Sequence, residues 1–178
     1  MNPKLQLLFA RRSVRAYRSE PVAADVVRDL LAAAMAAPSA VAKDPWAFIV
    51  IRQPETLAAI AEGLPNGQML ASAPLGLAVC GDLRRAQGGE LSYLLQDCSA
   101  AIENLLLAAQ ALGLGACWLG VHPRPERMAH LRSLLNIPEP VIPVAMIAVG
   151  WPAESPEPRT RYRDDAVYFE RFGGGTDR

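Results

Sequence analysis

Residues 96–121, QDCSAAIENLLLAAQALGLGACWLGV, restrict the fold more than any other stretch of the chain. Apolar side chains at Ala100, Ala101, Ile102, Leu105, Leu106, Leu107, Ala108, Ala109, Ala111 and Leu112 fall on nearly every side of a helix. A helix without a wide polar face is a buried one. A bilayer-spanning helix needs about 20 uninterrupted apolar residues, and Glu103, Asn104 and Gln110 break this run, so protein must cover it. Asp97 or Ser99 is expected to cap its start, and Gly113 and Gly115 to supply the left-handed turn that ends it. Residues 116–121 then read as a buried strand running into an irregular turn at His122-Pro123. A chain of 178 residues has limited means to cover such a helix alone. A homodimer is therefore predicted, with this helix at or near the interface.

With 51% hydrophobic and 20% charged residues, residues 1–178 suit one ordinary globular domain. The 18 basic and 18 acidic residues cancel, so no broad attraction to nucleic acid or to an anionic membrane is expected. Cys80, Cys98 and Cys117 show neither CxxC spacing nor a neighbouring histidine pair, and no metal site or disulfide is predicted from them. His122 and His130 also lack ligand partners in sequence and read as structural or surface residues. The apolar run LQLLFA is too short for a secretory core and meets Arg11-Arg12 at once, which points to a cytoplasmic protein.

Leu5, Leu8 and Phe9 make one stripe on a short first helix. A second helix is predicted over residues 22–36, with Val27, Leu30, Leu31, Ala34 and Met35 on one face and Pro38 beyond its end. After the loop PSAVAKDP, residues 46–51 read as a buried strand. Pro54 and Gly63 bracket a helix, and residues 64–74 a loop with Asn66-Gly67 as its turn. Residues 75–80 form a second strand, and 84–89 a polar connection to the central helix. Pro125 opens a helix with Met128, Leu131, Leu134 and Leu135 facing the core. Residues 141–149 are the last strand, and an extended tail rich in Pro and charge follows. Such alternation of strand and helix is compatible with a doubly wound parallel sheet. No glycine-rich phosphate loop follows any strand, however, which counts against a dinucleotide fold of that kind.

Three clusters have no evident structural purpose. Arg11-Arg12-Ser13-Val14-Arg15 gathers three guanidinium groups and a hydroxyl beside a helix end, a set suited to holding phosphate and another anionic oxygen. Ala37-Pro38-Ser39-Ala40, ahead of Pro45-Trp46, offers small residues past which a flat ligand can approach backbone. Pro158-Arg159-Thr160-Arg161-Tyr162-Arg163 places further cations near the C-terminus. Taken singly, each reads as solvated surface or ordinary loop.

In order, RRSVRAY, APSAVAKDPWAFIVI, Ala73-Pro74, DCSAAIENLLLAAQALGLGACWLGV, IPEP, VAMIAVGWP and the arginine-bearing tail resemble the nitroreductase family of FMN-dependent oxidoreductases. The resemblance covers nearly the whole chain. It implies an α+β fold, with a central mainly antiparallel sheet flanked by helices, in place of the doubly wound alternative. It also implies an intertwined homodimer with FMN at the interface, NADH or NADPH as reductant, and a nitroaromatic, quinone or similar small molecule as acceptor. By position, Arg11, Arg12 and Ser13 match phosphate and ribityl contacts, and Arg15 the basic residue near the flavin pyrimidine edge. Pro38, Ser39 and Ala40 match a loop, partly from the partner, that walls the ring. Trp118, Leu119 and Gly120 match the strand end along the ring, and Arg159 and Arg161 the tail residues returning to phosphate. The chemistry is flavin-borne, so no catalytic side chain is assigned. Ala42 and Asp44 stand where the family usually has Asn and Gln. Those two positions motivate an alternative, an FMN carrier or sensor with little turnover. A same-fold enzyme of different reaction, such as dehalogenation or dehydrogenation, is the other.

Overall fold

A computed structural model describes residues 2–175 of the chain. Pro3–Leu5 form a 3-10 turn that runs into α1 (Gln6–Ala10), followed by α2 (Ala24–Met35), β1 (Trp46–Ile51), α3 (Pro54–Glu62), β2 (Leu75–Asp82), α4 (Leu91–Ala111), β3 (Gly115–Gly120), α5 (Pro125–Leu135) and β4 (Val141–Gly150). The four strands make one sheet in the order β1-β2-β4-β3, and every pairing is antiparallel. This is the α+β arrangement that the resemblance implies.

Both faces of the sheet are covered. Leu75, Leu77 and Val79 of β2 and Ala145, Ile147 and Val149 of β4 pack on one side against α2 and α4. Ala78, Cys80, Met146 and Ala148 point the other way, against α3, α5 and the 3-10 turn Gln68–Ser72. The two central strands are therefore without a polar side chain over residues 75–80 and 144–149, the usual mark of sheets buried on both faces.

Several sequence expectations shift. α4 begins at Leu91 with Glu90 as N-cap, six residues before Asp97, so neither Asp97 nor Ser99 caps it. Leu94 already packs into the core, which makes the preceding polar turn its amphipathic start. Asp97 is instead buried inside the helix, and the Ser99 hydroxyl donates back to the Leu95 carbonyl at 2.6 Å. Between Leu94 and Gln110 only Gln96 and Glu103 are exposed, as a helix greasy on most sides requires. At its end Gly113 takes φ 75°, with Leu114 N–H donating to Ala109 O (2.8 Å) and Gly113 N–H to Gln110 O (3.2 Å), a Schellman stop. Gly115 is not part of that turn; it opens β3.

β1 is an edge strand with a mixed exposure pattern rather than a wholly buried one. α2 begins at Ala24, and Met35 lies exposed because it falls off the Val27, Leu30, Ala34 stripe. Leu131 is the fully buried side chain of α5, whereas Leu134 faces solvent. In 64–74, Gly67 N–H closes the Asn66-Gly67 turn on Leu64 O (2.7 Å), and a 3-10 turn follows. α1 has the predicted place but buries no residue within the chain. His130 is structural: its Nε2 lies 2.9 Å from Ala59 O, and a Cβ at Gly63 would come within 2.2 Å of the imidazole. Among the described residues no helix is long and apolar enough to cross a membrane.

Candidate functional site

The basic segment 11–17 is held as an extra, irregular strand. Val14 N–H donates to Ala116 O at 3.0 Å, and Ser13 bridges Ala116 in parallel, which lays the segment along the free edge of β3. This approach depends on Gly115, where an added Cβ would lie 2.6 Å from Val14 Cγ1. Arg18 N–H donates to Trp151 O (2.9 Å) and Ala153 N–H to Ala16 O (2.9 Å), so the segment is also tied to the exit of β4. Glu154 Oε1 accepts from the N–H groups of Arg15 (2.5 Å) and Ala16 (3.3 Å). The Tyr17 hydroxyl lies 2.5 Å from Val14 O and 3.3 Å from Ala148 O. Burial, with Cys117 and Glu154 adding to it, pushes the Tyr17 pKa far above the phenol range, and the group stays a neutral donor.

Leu8, Arg11, Arg12, Ser13, Arg159 and Arg161 line one cleft of about 370 Å³. The two arginine clusters thus meet, although some 145 residues separate them in sequence. Two contacts bring the tail back: Arg159 N–H donates to Phe9 O (3.1 Å), and the Arg12 guanidinium donates to Glu157 O. Arg12 and then Arg161 hold the Arg159 guanidinium pKa below its ordinary value, as cations crowded together must. Arg11 is balanced by Glu103, 3.1 Å from its Nε. Among the described residues no carboxylate lines the cleft. Several fork-shaped donors, a hydroxyl and an excess of positive charge fit a phosphate dianion.

A second cleft, of about 310 Å³, is lined by Arg15, Leu64, Asn66, Cys117, Trp118, Leu119, Gly120 and Arg127. Strand alternation sets its floor: Cys117 and Leu119 point into the core, while Trp118 and Gly120 stay exposed. A Cβ at Gly120 would meet no atom within 4 Å, which leaves open space over the strand end. Burial raises the Cys117 pKa against the opposing effects of Arg15 and the Ser13 hydroxyl, so this thiol is held protonated at neutral pH. Arg127, in the first turn of α5, donates from Nη1 to Gly120 O at 2.8 Å. Sequence reading missed Arg127 and gave Asn66 only a turn. Neither stands in a cluster, and only the fold brings them to β3.

Pro38, Ser39 and Ala40 line neither cleft. Their loop closes on itself and on α4. The Ser39 hydroxyl donates to Asp44 Oδ1 (2.5 Å), Asp44 N–H donates to Ser39 Oγ (3.0 Å), and Ala40 N–H donates to Asp97 Oδ1 (2.8 Å). These bonds hold Val41, Ala42 and Asp44 at φ of 53°, 51° and 47°, left-handed values that side chains normally avoid, with Lys43 between them at φ -84°. Asp44 is therefore engaged within its own loop.

Within one chain, then, an antiparallel α+β sheet carries a cationic cleft and a flat strand-end shelf with arginines beside it. That combination fits a flat anionic cofactor. The nitroreductase family profile matches residues 8–151. A Methanothermobacter thermautotrophicus protein, provisionally named an NADH dehydrogenase/NAD(P)H nitroreductase, is 42% identical over 170 residues, 94% of this chain and 87% of its own length. The crystal structure of a Parabacteroides distasonis protein with the same provisional name aligns with a TM-score of 0.90 at 36% identity, covering 96% of this chain and 99% of that one. A Desulfovibrio desulfuricans protein, provisionally named a nitroreductase and crystallised in complex with FMN, aligns with a TM-score of 0.82 at 32% identity over 97% and 99% of the two chains. The chain belongs to the nitroreductase family.

Proposed function

We propose that the chain is an FMN-dependent NAD(P)H oxidoreductase that works as a homodimer. When bound, FMN supplies the redox chemistry, hydride transfer from NADH or NADPH through N5 to a nitroaromatic, quinone or similarly electron-poor acceptor, in ping-pong order. The observation that carries this reading is the convergence of Arg11, Arg12 and Ser13 with Arg159 and Arg161 on one cleft that no carboxylate of the described residues lines.

The protein's contribution is binding and orientation. Arg12, Arg159 and Arg161, with the Ser13 hydroxyl, hold the phosphate, and Arg11 completes the cation set while paired to Glu103. Trp118, Leu119 and Gly120 form the shelf for the ring, and Gly120 keeps its upper side clear for a second flat molecule. Arg15 offers a cation to the pyrimidine edge, where charge accumulates on reduction. Pro38, Ser39 and Ala40 serve the site of the partner, which accounts for their place outside both clefts of their own chain. α1, which buries no residue within the chain, is the surface such a partner would cover.

The test is FMN retention. Each charge-assisted phosphate contact is worth roughly 1.5–3 kcal/mol. Arg12→Ala and Arg159→Ala are therefore expected to weaken FMN binding by about 10- to 100-fold and to leave the protein largely colourless after gel filtration. Flavin content equal to wild type in both variants would remove the phosphate assignment.

A further inference from the structure

The ring-end cleft holds two guanidinium groups, Arg15 and Arg127, and among the described residues no acidic side chain lines it. Glu154, whose carboxylate lies against the Arg15 segment, spends Oε1 on backbone N–H groups of Arg15 and Ala16. Arg127 reaches the cleft because Pro125 opens α5 just after the turn that follows β3, so the first turn of α5 folds back over the strand end. Its Nη1 is anchored on Gly120 O at 2.8 Å. Its Nε is buried and has no hydrogen-bond partner among the described residues. A buried unpaired N–H costs about 1–3 kcal/mol, and such a group in a folded protein calls for an explanation. Nε itself is closed to solvent, so the guanidinium meets any occupant of the cleft through its terminal nitrogens. Asn66 adds a neutral amide on the same wall. Two cations and an amide around a flat shelf match the edge of a heterocycle that carries carbonyl oxygens and becomes negative during turnover.

We infer that Arg127 touches the bound flavin alongside Arg15 and holds its reduced, anionic form more tightly than its oxidised form, raising the two-electron potential. This rests on the proposal that FMN occupies the two clefts. The balance is simple: a hydride from NADH or NADPH adds two electrons and one proton to the neutral ring, the nicotinamide leaves as its oxidised cation, and one negative charge remains on the ring system. A nearby guanidinium has little to attract before the transfer and a full charge after it, so its effect falls on the reduced state. Arg127 would thus set how readily this flavin accepts hydride.

The experiment compares the flavin midpoint potential and the dissociation constant for oxidised FMN in wild type, Arg127→Gln and Arg127→Lys. Arg127→Gln is expected to weaken reduced FMN at least tenfold more than oxidised FMN, which for a two-electron couple lowers the potential by about 30 mV. Arg127→Lys, which keeps the charge, is expected to recover most of that loss. A residue that only clamps Gly120 would weaken both forms equally. An unmoved potential in Arg127→Gln, or an equal fall in the Lys and Gln variants, would overturn the inference. Should Arg127→Gln fail to fold, Arg127→His provides the same comparison within one protein, charged near pH 5.5 and neutral near pH 8.5. Its potential should fall below wild type only at the higher pH, and the same offset at both would overturn the inference. Wild-type protein that takes up no FMN would remove the underlying proposal, a result distinct from flavin bound with an unshifted potential.

Discussion

Single residues carry most of the link between this sequence and its site, and Gly115 is the clearest case. Its missing side chain is the space that Val14 fills, and Val14 sits between Ser13 and Arg15. Gly115→Ala forces that segment off the edge of β3, at a cost of about 1–3 kcal/mol for an overpacked contact. Urea denaturation should show this loss, and FMN content should fall with it; full flavin occupancy in a destabilised variant would separate the segment from the cofactor. The buried thiols make a prediction about pH. Burial pushes Cys80 and Cys98 from 9.0 up to about 12. Between those values the unfolded chain releases protons that the folded chain keeps, so their contribution to stability is whole below about pH 9 and declines as pH rises toward 12. The urea midpoint should therefore drop between about pH 8 and pH 10.5, and a midpoint that rose would contradict the burial of these thiols. The candidate cleft of Arg12, Ser13, Arg159 and Arg161 is foreshadowed in sequence because its arginines come in clusters. Arg127 is not, since a lone arginine on an amphipathic helix looks like solvated surface until the fold turns it toward β3.

At the scale of elements, apolar runs told where strands and helices lie but not how deep each sits. β2 and β4 read as buried strands and are, since helices cover both faces of the sheet centre. β1 has nearly the same composition yet lies at an edge, a difference that only strand order creates. Local spacing puts the start of α4 too late because Asp97 resembles a cap. In the fold its carboxylate accepts from Ala40 N–H, a contact between residues 57 apart that local spacing cannot reveal. α4 also carries the most testable packing claim. Leu105 is fully buried in the core cluster that α4 shares with α2 and the sheet, so Leu105→Ala should cost about 2–5 kcal/mol, read from denaturant unfolding. A loss well under 1 kcal/mol would mean that α4 is not the core element described here.

For the molecule as a whole, strand and helix alternation alone invited a parallel, doubly wound sheet. Continuous hydrophobic strands are the habit of parallel sheets, and this antiparallel one imitates them because both of its faces are covered. The resemblance, spread over motifs from Arg11 to Arg161, resolved that ambiguity where periodicity did not. A second copy, as proposed, would cover α1 and the exposed aromatic residues Tyr168, Phe169 and Phe172 of the tail. Sedimentation at micromolar concentration should accordingly return about twice the chain mass of 19.2 kDa, and a species of single-chain mass would exclude the proposed interface. The most direct test of the whole account is an anaerobic titration of the FMN-loaded protein with NADH and with NADPH, followed at the flavin visible band. Bleaching by at least one of them, reversed on adding a quinone or nitroaromatic, is the expected result. A protein that binds no FMN, or whose bound flavin neither nucleotide reduces, would contradict it.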